Sequence, residues 1–421
     1  MRIEILCTGD EILTGKTINT NYGHIARRLV EVGLTVHWGT TVGDDREALL
    51  TAFRQAAERA DAVIVNGGLG PTVDDLSQEV AAQAAGVALE RHEGWFGRMQ
   101  ERYRQRGRVM PPNNVKQAML PVGAELIDNP IGTACGFAVT IGKARFLFTP
   151  GVPREMRRMI DEQVIPRLLQ LSGLQTVTRL KRFHSFGIGE SRADEMLSGI
   201  PAFADGSVKL GFQSHYPQLE TKLAARAATA ADLDRILEPV EAEVRRRLGN
   251  FVLAEDAETL EGVVLAALAA RGGSLAVAET FTGGNIAARL VPQPAADGLF
   301  RRALVAARTD GLLDAVGLAP AAAASAGPEM AAAAARALRE ASGASHALAV
   351  LVDLDQGDDR TELGGSIDIG IADATGTVTR SARLLGGREW VRLGAAELAL
   401  DCLRRHLLDL PVDERIDFEK R

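Results

Sequence analysis

Two glycine-bearing segments in the first fifth of the chain carry the residue types of a phosphate site. The first is Thr8-Gly9-Asp10-Glu11; the second is Gly67-Gly68-Leu69-Gly70-Pro71-Thr72-Val73-Asp74-Asp75. Glycine lets a backbone approach a ligand closely and adopt φ > 0. Successive N–H groups in such a turn form a nest for an anion. Pro71-Thr72 gives a rigid entry, and a helix starting near Asp74 would add its positive end. Together these features describe a pyrophosphate cradle. Asp74 and Asp75 offer hard oxygen ligands for a divalent cation held jointly with substrate phosphates, and Asp10 and Glu11 add two more carboxylates. Acids beside a phosphate site make chemical sense only with a bridging cation. Taken alone, Asp74 also suits the first turn of a helix.

Three later segments extend the pattern. In Pro112-Asn113-Asn114-Val115-Lys116-Gln117-Ala118, Lys116 is either a phosphate contact or a solvated lysine. Asn129-Pro130-Ile131-Gly132-Thr133-Ala134 is a turn with a hydroxyl and N–H groups to offer. Pro150-Gly151-Val152-Pro153-Arg154-Glu155-Met156 joins a strand to a helix, with Pro153 suited to the first turn. Glu155 there either points into the site or serves as a cap. The P-loop lysine, HExxH, GxSxG and GxGxxG patterns are absent. Cys7 and Cys135 sit at strand ends and read as packing residues.

These loops need strands to present them. Residues 2–7, 35–42 and 62–66 read as strands and residues 21–32 and 45–59 as helices, the βαβα rhythm of a helix-covered parallel sheet. Residues 93–105 read as a helix, 125–128, 135–141 and 143–148 as strands, and 154–169 as a strong helix. In such a sheet ligands bind beyond the carboxyl ends of the strands, where both glycine loops fall. The expected architecture is three α/β domains: a three-layer α/β/α domain (1–172), a small α+β middle domain (173–252) and an α/β domain (253–421). In the middle domain, 175–186, 209–212 and 220–227 read as strands and 189–197 and 230–248 as helices. In the last, 274–278, 347–353 and 366–372 read as strands, and 259–270, 284–290, 328–342 and 393–408 as helices. The alanine-rich stretches at 321–324 and 331–335 carry little information, the second reading as a close-packed helix.

Composition narrows the function classes. The 421 residues carry 48 Lys and Arg against 55 Asp and Glu, a net charge of −7. That balance argues against a nucleic-acid or anionic-lipid coat. The arginines at 154–158 and 245–247 are interspersed with acids or lie on helices, as solvated faces do. Three cysteines are too few for a disulfide framework, and no apolar run is long enough to span a membrane. The opening residues lack a signal-peptide layout, so a soluble cytoplasmic protein is expected.

The motifs TGDEILTGKTINTN (8–21), GGLGPTVDD (67–75), NNVKQA (113–118), NPIGTACGF (129–137), PGVPREM (150–156) and GIGES (187–191) closely resemble the competence/damage-inducible CinA family. The first domain also resembles the molybdopterin-binding fold. The resemblance implies a first domain that hydrolyses the pyrophosphate of ADP-ribose to AMP and ribose 5-phosphate. The reaction would use a divalent metal (Mg²⁺, Mn²⁺ or Co²⁺) and, in some members, K⁺. On the residue types themselves, Asp74 and Asp75 hold the metal, with Asp10 a further candidate ligand. Asp10, Glu11 and Glu155 are the catalytic acids, with the base left open between Glu11 and Glu155. Gly9, Asn21, Gly67, Gly68, Gly70, Pro71, Thr72, Asn114, Lys116, Gly132 and Thr133 contact the nucleotide. Family members are cytoplasmic homodimers acting on a small-molecule nucleotide, with no membrane and no nucleic-acid partner expected. Cys135 stands where the family usually has Pro.

The last domain resembles a nicotinamide-nucleotide amidase but departs from it. Residues 278–284, AETFTGG, differ from AESCTGG at Thr280 and Phe281. The serine-bearing turn is replaced by Ala295-Ala296-Asp297-Gly298-Leu299-Phe300. The YSNxxK stretch is replaced by Ala307-Arg308-Thr309-Asp310-Gly311-Leu312, and the SGIAGP loop by residues 352–357. A Ser–Lys amidase needs its hydroxyl and its base, so this domain is expected to fold but not to act as an amidase. The alternatives are a nucleotide- or pterin-binding scaffold without turnover, or a working amidase, the last disfavoured on these residues.

Overall fold

The alternation of inward and outward side chains in the first strands decides the layering. In a computed structural model describing residues 1–200, 206–318, 327–355 and 363–420, strands β1 (Ile3–Thr8), β2 (Val36–Val42), β3 (Ala62–Asn66), β4 (Leu89–Arg91), β5 (Met119–Pro121), β6 (Glu125–Ile127), β7 (Gly136–Ile141) and β8 (Ala144–Thr149) lie in the first unit. Six of them form a sheet in the order β2-β1-β3-β8-β7-β6. β2, β1, β3 and β8 run parallel, while β7 and β6 are antiparallel additions. Ile3, Ile5, Cys7 and Ile64 face the helices Thr20–Glu31 and Pro153–Met159. Leu6, Val63 and Val65 face Arg46–Arg59, Ser77–Ala85 and Glu93–Gln105. Period-two alternation on an apolar strand thus feeds two cores, which gives the three layers.

Fully buried Glu4 interrupts that pattern and is neutralised in place. Its carboxylate accepts from Arg59 Nε at 2.8 Å, Arg59 Nη2 at 2.5 Å and Thr40 Oγ1 at 2.6 Å.

Two expectations change. The helix read at 154–169 is α-helical at Pro153–Met159, a π turn at Ile160–Val164 and α-helical again at Ile165–Ser172. Pro166 has no N–H to give and crowds the preceding turn. The helix placed near Asp74 begins at Ser77. The Asp75 side chain explains the delay by accepting from Thr72 N at 2.8 Å and from the Thr72 hydroxyl at 2.5 Å, closing a turn ahead of the helix.

The contacts of the chain fall into two compact units: Met1–Arg179 with Arg226–Leu233, and Leu180–Ala225 with Asp234–Arg421. The second holds most of a sheet of β9 (Val177–Phe186), β10 (Val208–His215), β11 (Gln218–Ala227) and β12 (Val252–Glu255), ordered β10-β11-β9-β12. It also holds a five-stranded sheet, β14-β13-β15-β16-β17, of β13 (Leu275–Thr280), β14 (Phe300–Ala306), β15 (His346–Leu354), β16 (Gly364–Ala372) and β17 (Thr377–Leu385). Ala276, Ala278, Ala347 and Ala349 give one face of this sheet so little bulk that the helix Pro328–Ser342 packs against it through Ala331, Ala334 and Ala335. The other alanine run, 321–324, lies outside the described residues. β14 and β17 are the edge strands, and their half-exposed, arginine-bearing sequences hid them from the apolar pattern.

Candidate functional site

The order β2-β1-β3 places the chain's direction change between β1 and β3, so the loops leaving them diverge to open a crevice. There lies a cavity of about 390 Å³. Gly9, Glu11, Gly67, Gly68, Gly70, Pro71, Asp74, Asp75, Thr133 and Glu155 line it, together with Thr8, Asp44, Gln117, Ala134, Gly151 and neighbours. No lysine or arginine is among its lining residues.

The glycine loop is shaped for close approach. Gly67 and Gly68 have φ of 114° and 67°, and a Cβ on Gly67 would lie 2.9 Å from the Thr8 carbonyl oxygen. Among the described residues, the N–H groups of Gly68, Leu69 and Gly70 have no acceptor. The Thr8 hydroxyl is buried without a partner. The loop's carbonyls, by contrast, are tied back. Ser77 Oγ donates to Gly67 O at 2.9 Å and Ser77 N to Gly68 O at 3.1 Å. The turn Pro112–Ala118 supplies Gln117 Nε2 to Leu69 O, Asn113 Nδ2 to Pro71 O and, at 2.9 Å, Lys116 Nζ to Thr72 O. Lys116 and Thr72 therefore stand behind the loop rather than on the cavity wall. Asn114 is buried against Tyr103 and Gln117.

Four of the five lining carboxylates come from three loops. Glu11 follows β1, Asp74 and Asp75 follow β3, and Asp44, which the sequence reading missed, follows β2. Asp10 stands off the wall and pairs reciprocally with Asp44: Asp10 N donates to Asp44 Oδ2 at 3.2 Å and Asp44 N to Asp10 Oδ1 at 3.1 Å. Burial first, and then the charges of Asp10, Glu11 and Asp74, push the Asp44 carboxyl above its ordinary range. Glu11, Asp44, Asp74 and Asp75 line one cavity together. Gly43-Asp44-Asp45 resembles an ordinary helix start, and Asp45 does cap the next helix by accepting from Ala48 N at 2.8 Å. Only the adjacency of β2 and β1 makes Asp44 a site residue.

Glu155 closes the opposite wall. Asn129 Nδ2 donates to Glu155 Oε2 at 2.8 Å and to Ala134 O at 2.7 Å, while Asn129 Oδ1 accepts from Gly132 N at 2.9 Å. Arg102 donates to the carbonyls of Asn129, Pro130 and Gly132, and Trp95 Nε1 to Thr133 O at 2.9 Å. The turn bearing Gly132 and Thr133 is thus fixed from both sides. Beyond Glu155 a second hollow of about 440 Å³ holds Arg102, Arg106 and Arg154. Asn21 sits beneath the floor. Its Nδ2 donates to Asn66 Oδ1 at 2.9 Å and to Gly151 O at 2.7 Å, and Asn66 Nδ2 donates to Pro150 O at 2.8 Å.

In the second unit a cavity of about 660 Å³ lies at the carboxyl ends of β13 and β15. Phe281, Ala307, Arg308, Thr309, Asp310, Met330, Asp353 and Arg388 are among its lining residues. Leu312, at the position of the family lysine, is fully buried in the alanine-rich core. Asp297 is exposed and does not line the cavity. Buried Glu279 accepts from the Thr282 hydroxyl and from the N–H groups of Ile286 and Ala287, so the AETFTGG segment serves as a helix cap. Residues 356 and 357 of the replaced SGIAGP loop lie outside the described residues.

Comparison with known proteins covers nearly the whole chain. The family described as "Probable molybdopterin binding domain" matches residues 4–170, the "Damage-inducible protein CinA KH domain" residues 180–254, and the "CinA C-terminal domain" residues 257–407. A CinA-like protein of Shewanella loihica is 38% identical over 98% of this chain and 97% of its own length. One of Frankia casuarinae is 38% identical over 98% of both. The crystal structure of the protein CinA, with unknown function, from Thermoplasma acidophilum is 33% identical over 41% of this chain and 98% of its own, with a TM-score of 0.36. No helix of the described residues is long and apolar enough to cross a membrane.

Proposed function

The chain belongs to the CinA-like family, and we propose that its first unit is a metal-dependent nucleotide pyrophosphatase that hydrolyses ADP-ribose, or a close analogue, to AMP and ribose 5-phosphate. One observation carries the reading: acceptor-less N–H groups on a glycine loop and carboxylates from three loops face the same cavity, with no basic side chain between them. The N–H groups of Gly68, Leu69 and Gly70 cradle the diphosphate. Hard carboxylate oxygens without a counter-charge fit a divalent ion of the Mg²⁺ or Mn²⁺ kind. Glu11, Asp44 and Asp74 would hold it, with Asp75 contributing the oxygen not spent on Thr72. When bound, it supplies charge neutralisation at the phosphoryl oxygens and a more acidic water.

Glu155, oriented by Asn129, takes the proton of the attacking water. The water oxygen bonds to one phosphorus, the bridging P–O bond breaks, and the bridging oxygen leaves with the other phosphate. Glu155 borders both hollows, so the arginine-lined one receives the sugar-phosphate arm beyond the scissile bond. In the second unit, the cavity residues and the buried Leu312 support absence of amidase activity.

The test is ³¹P NMR of ADP-ribose incubated with the protein and Mg²⁺, Mn²⁺ or Co²⁺. AMP and ribose 5-phosphate should form, and Asp74→Ala and Glu155→Gln should abolish turnover. Asp74→Ala turning over at the wild-type rate would sink the reading.

A further inference from the structure

We infer that His346, Asp373 and His406 form a binding site for a divalent transition-metal ion of the zinc class, separate from the three hollows above. The three residues come from three elements. His346 opens β15, Asp373 follows the last residue of β16, and His406 lies in the last turn of the helix Arg388–Leu407. Antiparallel pairing of Ala347 with Ala372 brings the first two side by side. Ligand atoms of all three lie within 4.8 Å of one another, and His406 Nε2 is 2.9 Å from Asp373 Oδ2. The site is at the amino end of β15, whereas Asp353 and Leu354 of the second unit's cavity are at its carboxyl end. At about 3.3 Å per residue, that is roughly 26 Å away.

The surroundings orient the ligands as metal sites do. Asp373 Oδ1 is fully used, accepting from Thr375 N and Oγ1, both at 2.7 Å, and from Gly376 N at 3.1 Å. Oδ2 is thereby aimed at the histidines. Ser345 Oγ donates to Ser274 O at 3.0 Å, accepts from Ser274 N at 2.7 Å and lies 2.8 Å from His346 Nδ1. With the serine proton on a carbonyl, Nδ1 must donate, which leaves the other ring nitrogen of His346 bare. The Asp373 and His406 side chains keep 12% and 15% exposure, enough for an ion to enter and retain water. Two imidazoles and one carboxylate select Zn²⁺, Co²⁺ or Ni²⁺ over the hard ions suited to the all-carboxylate cavity of the first unit. Ions of this class hold nitrogen and oxygen at about 2.0–2.2 Å, so the ligands close by a small side-chain rotation.

The experiment uses the full, untagged chain stripped with chelator and titrated with Zn²⁺ by calorimetry and with Co²⁺ by visible absorption. One equivalent beyond any held by the first unit should bind with Co²⁺ ligand-field bands, and Asp74→Ala should leave that equivalent intact. His346→Ala and His406→Gln should each remove it, and Ser345→Ala should weaken it about 10- to 100-fold. Asp373→Asn, which preserves shape, should also weaken it at least about tenfold. Circular dichroism identifies the folded variants, and the folded ones decide the matter. The proposal is overturned if the wild type takes up no ion in addition to any lost in Asp74→Ala. Folded histidine and Asp373→Asn variants binding as tightly as wild type overturn it equally.

Discussion

Asn66 is the joint on which the floor of the first cavity rests, and Asn66→Ala tests that joint. The side chain is 3% exposed at the end of β3. It accepts from Asn21 at 2.9 Å and donates to Thr149 Oγ1 at 3.1 Å and Pro150 O at 2.8 Å. Each bond is worth about 1 kcal/mol net, and a buried carbonyl left without its donor costs more. Loss of all three therefore destabilises the first unit by about 3 kcal/mol. A folding unit of this size shifts by about 2–4 °C per kcal/mol, so the melting midpoint should fall by about 6–12 °C. Trp38 and buried Trp95 belong to the first unit and half-exposed Trp390 to the second, so the fluorescence change is read in a Trp390→Phe background, where it follows the first unit's melting. The loops after β3 and β8 lose their shared anchor, so ADP-ribose turnover should fall as well. A midpoint lowered by less than about 2 °C would refute the assignment of the network as structural. Asn66→Asp is the sharper companion: it keeps the shape but turns an acceptor toward the Pro150 carbonyl, and should be worse still at neutral pH.

Gly67→Ala forces a side chain into φ 114° and against the Thr8 carbonyl; calorimetry should show at least tenfold weaker AMP or ADP-ribose binding with circular dichroism unchanged. Glu4→Gln removes the buried charge facing Arg59, whose side chain is 36% exposed and so is not stranded. The cost, read by urea denaturation, should be about 1–3 kcal/mol, below the 3–5 kcal/mol of a fully buried pair. The Asp44 carboxyl is raised in the folded state, so its ionisation penalty is absent below the ordinary aspartate range. The penalty builds as pH rises through the raised value and persists above it. Asp44→Asn should therefore flatten that fall and leave the protein more stable than wild type at neutral pH while slowing turnover; equal pH–stability curves would contradict the burial of Asp44 beside Asp10, Glu11 and Asp74. Purified protein given nicotinamide mononucleotide should release no ammonia above background, since an enzyme without its nucleophile and base loses on the order of 10⁶ in rate.

What was legible in the sequence was whatever a short stretch of chain determines by itself. β1 and β3 are buried, largely apolar runs followed by glycines, so both strands and both loops could be placed, and Glu11, Asp74 and Asp75 with them. Residues whose meaning depends on a neighbour in space were not. Asp44 belongs to the site because β2 lies beside β1. Lys116 belongs behind the loop because the turn at Pro112–Ala118 spends its donors on loop carbonyls. Asn66 looks like the end of a strand until Asn21 and Pro150 arrive from distant parts of the chain. The histidines at 346 and 406 are the extreme case, since only the pairing of β15 with β16 and the length of the last helix bring them to one aspartate. The asymmetry is physical. A loop that binds an anion advertises itself through glycine, the residue that alone relieves the backbone locally. A polar group that props such a loop needs only a partner within about 3 Å, and any sequence separation can provide one.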